Sequence, residues 1–366
     1  MRTNKQDRQS VKQARSSPRA EGAGPVALFR AVYQTFQRAE QAASGPIDRF
    51  YTMGGYTIRL RFAGPALTQF ITPALEHLAV EPGLASGLTI CLWDSASTRT
   101  KMPPPPWSAD DYIARGEVRG YNDDRIYTAF HLGSGTLSML DTRLNLALYW
   151  ICDASRIPYY EKGFPLRAIL HWWMCNHKRQ LVHAGAVGTS RGGVLLVGKG
   201  GSGKSTTALA CLHSEMLYVG DDYVLLSGQP TPFVYSLYNS AKLDADHIWR
   251  LPHLLPTVSN RERLDTEKAL IFLHDHYPDK VTMGFPVRAI LLPHIADLPD
   301  TRLKRTSPAA SLTALAPSTI FQLPMAGHEA FQDLADFVKQ VPSYVLELGT
   351  DLSRIPDAIL GLLSEN

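Results

Sequence analysis

Apolar residues recur at helical spacing from Pro25 to Ala43 (PVALFRAVYQTFQRAEQAA), which predicts a helix there. From Tyr56 to Phe62 (YTIRLRF) apolar and polar side chains alternate, the pattern of a half-buried strand. Leu88 to Trp93 predicts a second strand, and Ala66 to Leu78 between them is expected to be helical. Strand-like pieces follow near Ile126 to Leu132 and Leu144 to Trp150, and Leu166 to Asn176 reads as a helix. Beyond it, Gln180 to Val187 predicts one strand pairing with Val194 to Val197 through the Arg191-Gly192-Gly193 turn. Thr206 to Leu212 is helix-forming. Met216 to Leu226 reads as a strand interrupted by two carboxylates, and Tyr235 to Leu243 as a strand followed by a turn. Phe285 to Leu292 predicts a core strand, and Ser307 to Leu315 and Ala330 to Val338 predict closing helices. There is no internal repeat. The expected class is α/β: a basic, disordered tail over 1–24, a β-rich α+β domain over 25–160, and a catalytic domain over 161–366.

Composition narrows the function classes. The chain has 366 residues, 45% hydrophobic and 19% charged, which suits a globular protein with a sizeable core. Its net charge is 37 − 34 = +3, too small to argue for nucleic acid or an acidic membrane surface. No apolar run is long enough to cross a bilayer. Arg2, Lys5, Arg8, Lys12, Arg15 and Arg19 are not followed by the apolar stretch of a secretory signal, so a cytoplasmic location is expected. Cys91, Cys152, Cys175 and Cys211 form no CxxC pair, and reduced thiols are expected rather than zinc or disulfides. Pro103 to Pro106 is a stiff polyproline segment, either a rigid surface loop or an SH3-type ligand.

The candidate chemistry begins at GVLLVGKGGSGKSTTALA, residues 193 to 210. It contains GxxxxGK[ST], a P-loop, with a short apolar strand before it and a helix-forming run after it. Gly198, Gly200, Gly201 and Gly203 let the backbone turn its N–H groups toward phosphates, with Ser202 and Thr206 in the same loop. The following helix presents its N-terminus to the anion. Lys204 supplies a point charge to the β- and γ-phosphates, and the Ser205 hydroxyl can ligate Mg²⁺. The expected ligand is a nucleoside triphosphate, ATP with Mg²⁺.

Asp221 and Asp222 lie amid apolar residues of a strand-like run, where Asp is disfavoured. They mark either a cation site facing the P-loop serine or a solvent-facing turn. His183 sits in the middle of the strand expected beside the P-loop, with function and structure both open. Lys242 is either a phosphate ligand from across the site or a surface lysine. Arg288, at the start of a predicted strand, is either an electrophilic arginine or a solvated one. His274-Asp275-His276 has metal-ligand residue types, but on a strand Asp275 would point away and a third ligand is missing, so it reads as surface.

Three segments together, LVHAGAV (181–187), GVLLVGKGGSGKST (193–206) and VGDDYVLL (219–226), resemble the HPr kinase/phosphorylase superfamily, related to ATP-dependent phosphoenolpyruvate carboxykinase. The likeness is in the order and close spacing, with Asp221 only 17 positions after Lys204. It covers residues 165 to 250 and extends more weakly to the C-terminal part. It implies a P-loop kinase domain of the HPr kinase type. It implies that His183 sits beside the transferred phosphoryl group, that Lys204 binds the β- and γ-phosphates, and that Ser205 holds Mg²⁺. Asp221 would then be the base accepting a hydroxyl proton, and Asp222 would help with the metal. The chain departs from HPr kinases before residue 165 and lacks their glycine-rich signature after the aspartate pair, which argues against HPr as the substrate. The layout is closer to HPr kinase-like proteins of bacterial peptide-modification clusters, such as lasso-peptide kinases. The expected partner is a peptide or protein with an acceptor hydroxyl, and a homo-oligomer is possible. A nucleotide-gated binding module and a small-molecule kinase are the alternatives.

Overall fold

The computed structural model describes residues 24–365 apart from Leu84, Asp297 and Ala326; the basic stretch 1–23 expected as a tail lies outside the described residues. The first helix runs Pro25–Ala42, with Pro at its first turn, where the missing N–H costs nothing. Strands β1 (Pro46–Met53), β2 (Tyr56–Ala63), β3 (Ala79–Val80), β4 (Leu88–Asp94), β5 (Ile126–His131), β6 (Thr136–Asp141) and β7 (Leu146–Ile151) form one sheet in the order β3-β1-β2-β4-β7-β6-β5. Its central strands are buried on both faces. In β4, Cys91 and Trp93 face the Pro25–Ala42 helix at Phe36, while Ile90 and Leu92 face the opposite way.

Not every predicted element is as the pattern read it. Ala66 to Leu78 is no single helix: Thr68–Ile71 is α-helical and Pro73–Leu78 is a 3-10 turn. Pro73 has no backbone N–H, so it cannot donate the bond that would continue the helix. The strands β1 and β6 were not predicted. All of β6 is buried, so it lacks the alternation that flags a strand.

The second sheet holds β8 (Gln180–Val182), β9 (Gly185–Thr189), β10 (Gly192–Leu196), β11 (Leu217–Gly220), β12 (Val224–Ser227), β13 (Phe233–Tyr235), β16 (Gly284–Ile295), β17 (Arg302–Thr306) and β18 (Ser343–Leu348). Separately, β14 (Ser240–Leu243) pairs with β15 (Ala269–Phe272). The long strand β16 joins the sheet together. It pairs with β13 at its start, runs parallel to β10 in its middle, and runs parallel to β18 at its end.

Gln180 to Val187 is therefore two strands rather than one. β9 pairs with β10 and β11, whereas β8 pairs with β12. The chain crosses between the two half-sheets at His183-Ala184, and its neighbour crosses at Asp221-Asp222-Tyr223, directly opposite. Tyr235 to Leu243 is likewise not one strand: β13 ends at Tyr235 and β14 begins at Ser240. Leu273–Asp275 forms a 3-10 turn, which removes the strand geometry expected for His274-Asp275-His276.

The closing helices Pro308–Ile320 and His328–Lys339 are present, and Arg354–Glu365 adds a third. One apolar cluster unites Tyr51, Leu60, Ile90 and Tyr149 of the first sheet with Trp172, Leu181, Tyr223 and Tyr238 of the second region, so the two sheets pack on a shared core. All four cysteines are free thiols. Among the described residues, no helix is long and apolar enough to cross a membrane.

Candidate functional site

The glycine-rich loop leaves the end of β10, where the N–H of Val197 donates to Leu291 O at 2.9 Å, and leads into the helix Lys204–Ala210. Three glycines in it, Gly198, Gly201 and Gly203, hold backbone conformations that side chains rarely adopt. Gly198 has φ +154°, and a Cβ there would meet Ser202 Oγ at 2.6 Å. Gly203 has φ +103°, and a Cβ would lie 2.4 Å from Leu348 Cδ1. Gly200 and Gly201 border open space on the cavity wall. Lys204 is 6% exposed, and its ammonium lies inside the loop, donating to Gly198 O at 2.8 Å and Lys199 O at 3.3 Å. Burial lowers its pKa, while the facing Asp222 and Asp221 oppose that. The buried Ser202 hydroxyl has no partner among the described residues.

The gap between the half-sheets brings the charged residues together. Gly185 permits the approach, because a Cβ there would sit 3.1 Å from the Asp221 Cα. Asp221 is 1% exposed. Its Oδ2 accepts from the Lys242 N–H at 3.2 Å, and its Oδ1 has no partner among the described residues. Burial first, and the Asp222 charge second, push its carboxyl up to about 7. Asp222 sits on the cavity wall. Burial works against its ionisation, but Lys242 and His183 outweigh it and hold the carboxyl far below the usual range. Lys242 Nζ lies 2.9 Å from Asp222 Oδ2, and His183 Nε2 bonds Oδ1. The pair is no solvent-facing turn, and Lys242 is no surface lysine.

Most of these groups open onto one cavity of about 450 Å³, lined by His183, Gly200, Lys204, Ser205, Asp222 and Lys242 among others, while Asp221 is buried beside its wall. The predicted P-loop residues, His183 and the aspartate pair are thus all in one place. Arg288 is not. β10 and β16 are parallel, so the start of β16 lies beside the start of β10, whereas the glycine-rich loop leaves the end of β10. Arg288 is exposed, donates to Arg191 O at 3.1 Å, and stands seven residues, about 23 Å of strand, before Ile295 on the cavity wall.

Sequence reasoning missed Arg167, Tyr223 and Gln322. Arg167 Nη1 donates to Tyr223 Oη at 2.8 Å, the Tyr223 hydroxyl donates to Gln322 Oε1 at 2.8 Å, and all three line the cavity. The ring of Tyr223 packs against His183 with centroids 5.4 Å apart. The available signal for Arg167 was its position as the cation opening an otherwise apolar helix, RAILHWWM.

No protein-family model matches the chain, and no curated protein matches it. Among solved structures, the Hpr(Ser) kinase/phosphatase from Coxiella burnetii is similar at 13% identity, covering 51% of this chain and 99% of that one, with a TM-score of 0.30.

Proposed function

We propose that this protein is an ATP-dependent phosphotransferase that moves the γ-phosphate to a Ser- or Thr-type hydroxyl, on a peptide of the kind modified in lasso-peptide clusters. One observation supports the reading: Lys204 and Ser205 share a cleft with Asp222, and the buried Asp221 stands next to it in the chain. Binding alone would not call for such a pair.

The loop N–H groups and Lys204 hold the β- and γ-phosphates. The acceptor oxygen bonds to the γ-phosphorus as the bond to the β–γ bridging oxygen breaks, ADP leaves, and the hydroxyl proton passes to the carboxylate pair. The two aspartates titrate as a unit, and Asp221 is the member with raised proton affinity. His183 and Lys242 keep Asp222 ionised and fixed. Among the described residues, no cluster of three or more His, Cys, Asp or Glu forms a closed metal cage. The Ser205 hydroxyl and the ionised Asp222, both on the cavity wall, form an oxygen donor set that fits Mg²⁺ shared with phosphates. Mg²⁺ bound there would neutralise charge on the phosphate oxygens.

Incubation with γ-labelled ATP and hydroxyl-bearing peptides tests the reading. Labelled peptide is expected, and tight ATP binding without transfer to any acceptor would contradict it.

A further inference from the structure

A second cavity, of about 320 Å³, adjoins the first and shares Tyr160 and Arg167 with it. Its remaining wall comes largely from the first sheet region: Tyr112, Ile113, Arg115 and the turn from His131 to Ser134 after β5. Large apolar side chains stand exposed at this place, with Ile113 at 45%, Leu132 at 66% and Tyr160 at 37%. Phe321 and Met325, also exposed, belong to a loop pinned to the same region. Arg115 Nη1 donates to Leu323 O at 2.8 Å, and the Met325 N–H donates to Glu117 Oε1 at 2.6 Å. An apolar rim of this kind around a polar cavity marks a surface that receives another molecule.

The two arginines of the cavity differ. Arg115 is committed, to backbone carbonyls and to Glu117 at 3.5 Å. Arg167 sits at the junction of the two cavities. Among the described residues it makes one hydrogen bond, from Nη1 to Tyr223, and no ion pair. Its guanidinium also packs over the Tyr223 ring at 4.9 Å, and Glu161 on the same cavity wall feels its charge without forming an ion pair among the described residues. A guanidinium has five donors, and a largely buried one with most of them unused suits a carboxylate.

We propose that the second cavity is the acceptor port, and that it takes a peptide segment with a carboxylate side chain next to its hydroxyl residue. The carboxylate meets Arg167, apolar neighbours rest on Ile113 and Leu132, and the hydroxyl passes Tyr160 into the first cavity beside the aspartate pair. The rim favours a chain over a small metabolite, which would leave it bare. The inference rests on the phosphotransferase reading but fails separately from it.

The probes are two blocked peptides, acetyl-Ala-Leu-Ser-Asp-Ala-amide and its Asn counterpart. With Mg²⁺ and ATP, the Asp peptide is expected to have at least tenfold higher kcat/KM, and Arg167→Gln is expected to erase the difference. Gly133→Trp supplies a second variant. A Cβ at Gly133 meets only Tyr160 Oη at 3.7 Å, so a side chain can start there without a backbone clash, and an unchanged melting temperature checks that the fold is kept. The variant is expected to raise the peptide KM at least tenfold and leave the ATP KM within twofold. Transfer that ignores both the Asp/Asn difference and Gly133→Trp overturns the port while the kinase reading stands. Fluorescence anisotropy with a non-hydrolysable ATP analogue covers the other case. Asp-selective, Gly133→Trp-sensitive binding without transfer upholds the port and removes the kinase reading. Neither binding nor transfer of either peptide overturns the port.

Discussion

Asp141 in the first sheet and Asp221 in the second are each 1% exposed, yet their surroundings are opposite. Asp141 accepts a two-pronged bond from Arg125 and backbone bonds from Arg143 and Leu144; these outweigh the cost of burial and lower its pKa. Asp221 keeps a buried oxygen without a partner among the described residues, and its pKa is raised. The first carboxylate is satisfied and ties a strand end to its neighbour. The second is under-satisfied and sits where two half-sheets part. Glu347 on β18 also leaves one buried oxygen unpartnered among the described residues, but its other oxygen is held by Lys304; Asp221 combines such an oxygen with a second carboxylate as its neighbour, which marks it as a candidate for chemistry.

The sharpest way to test that division is to strike each region in turn. Lys204→Ala is expected to lower phosphoryl transfer by about a thousandfold or more, several kcal/mol in the transition state, with the far-UV circular dichroism unchanged. Trp93→Ala, in the core of the first sheet, is expected to cost about 3–5 kcal/mol by urea unfolding and to leave kcat per folded molecule as it was. A large loss of kcat there would break the comparison.

The two aspartates should respond with opposite signs. A carboxyl with a lowered folded pKa contributes stability above its unfolded value, which is lost as pH falls. Asp141→Asn should therefore lower the melting temperature at pH 8. A carboxyl with a raised folded pKa contributes stability at low pH, which is lost as pH rises through about 7, so Asp221→Asn should raise the melting temperature at pH 8 and not at pH 4. Shifts of the same sign at pH 8 would contradict the account. The smallest effect is expected from Arg288→Ala, with kcat/KM unchanged within twofold in the transfer assay, since that residue stands at the far end of β16.

What the sequence disclosed follows from how local each feature is. The glycine-rich loop between β10 and the helix Lys204–Ala210 was legible because its glycines, Lys204 and Ser205 are contiguous, and the flanking strand and helix are short-range patterns. The aspartate pair was legible because carboxylates inside an apolar run contradict strand preference. The break at His183 was not, since it depends on which partner each half of 180–189 chooses. Arg288 was misplaced for a related reason: the parallel register of β10 and β16 decides which end of a strand meets the cleft, and no local pattern encodes it. Arg167 and Gln322 join the site from segments 155 residues apart, through Tyr223. The strand β6, buried throughout, carried no alternation to read.

The most direct measurement is transfer of the γ-phosphate from labelled ATP to a hydroxyl-bearing peptide by the wild type and by Asp221→Asn, with ATP affinity measured alongside. The account predicts a fall in kcat of about 10²–10⁴-fold for the variant, with ATP affinity within threefold. A variant that transfers phosphate at the wild-type rate would contradict it.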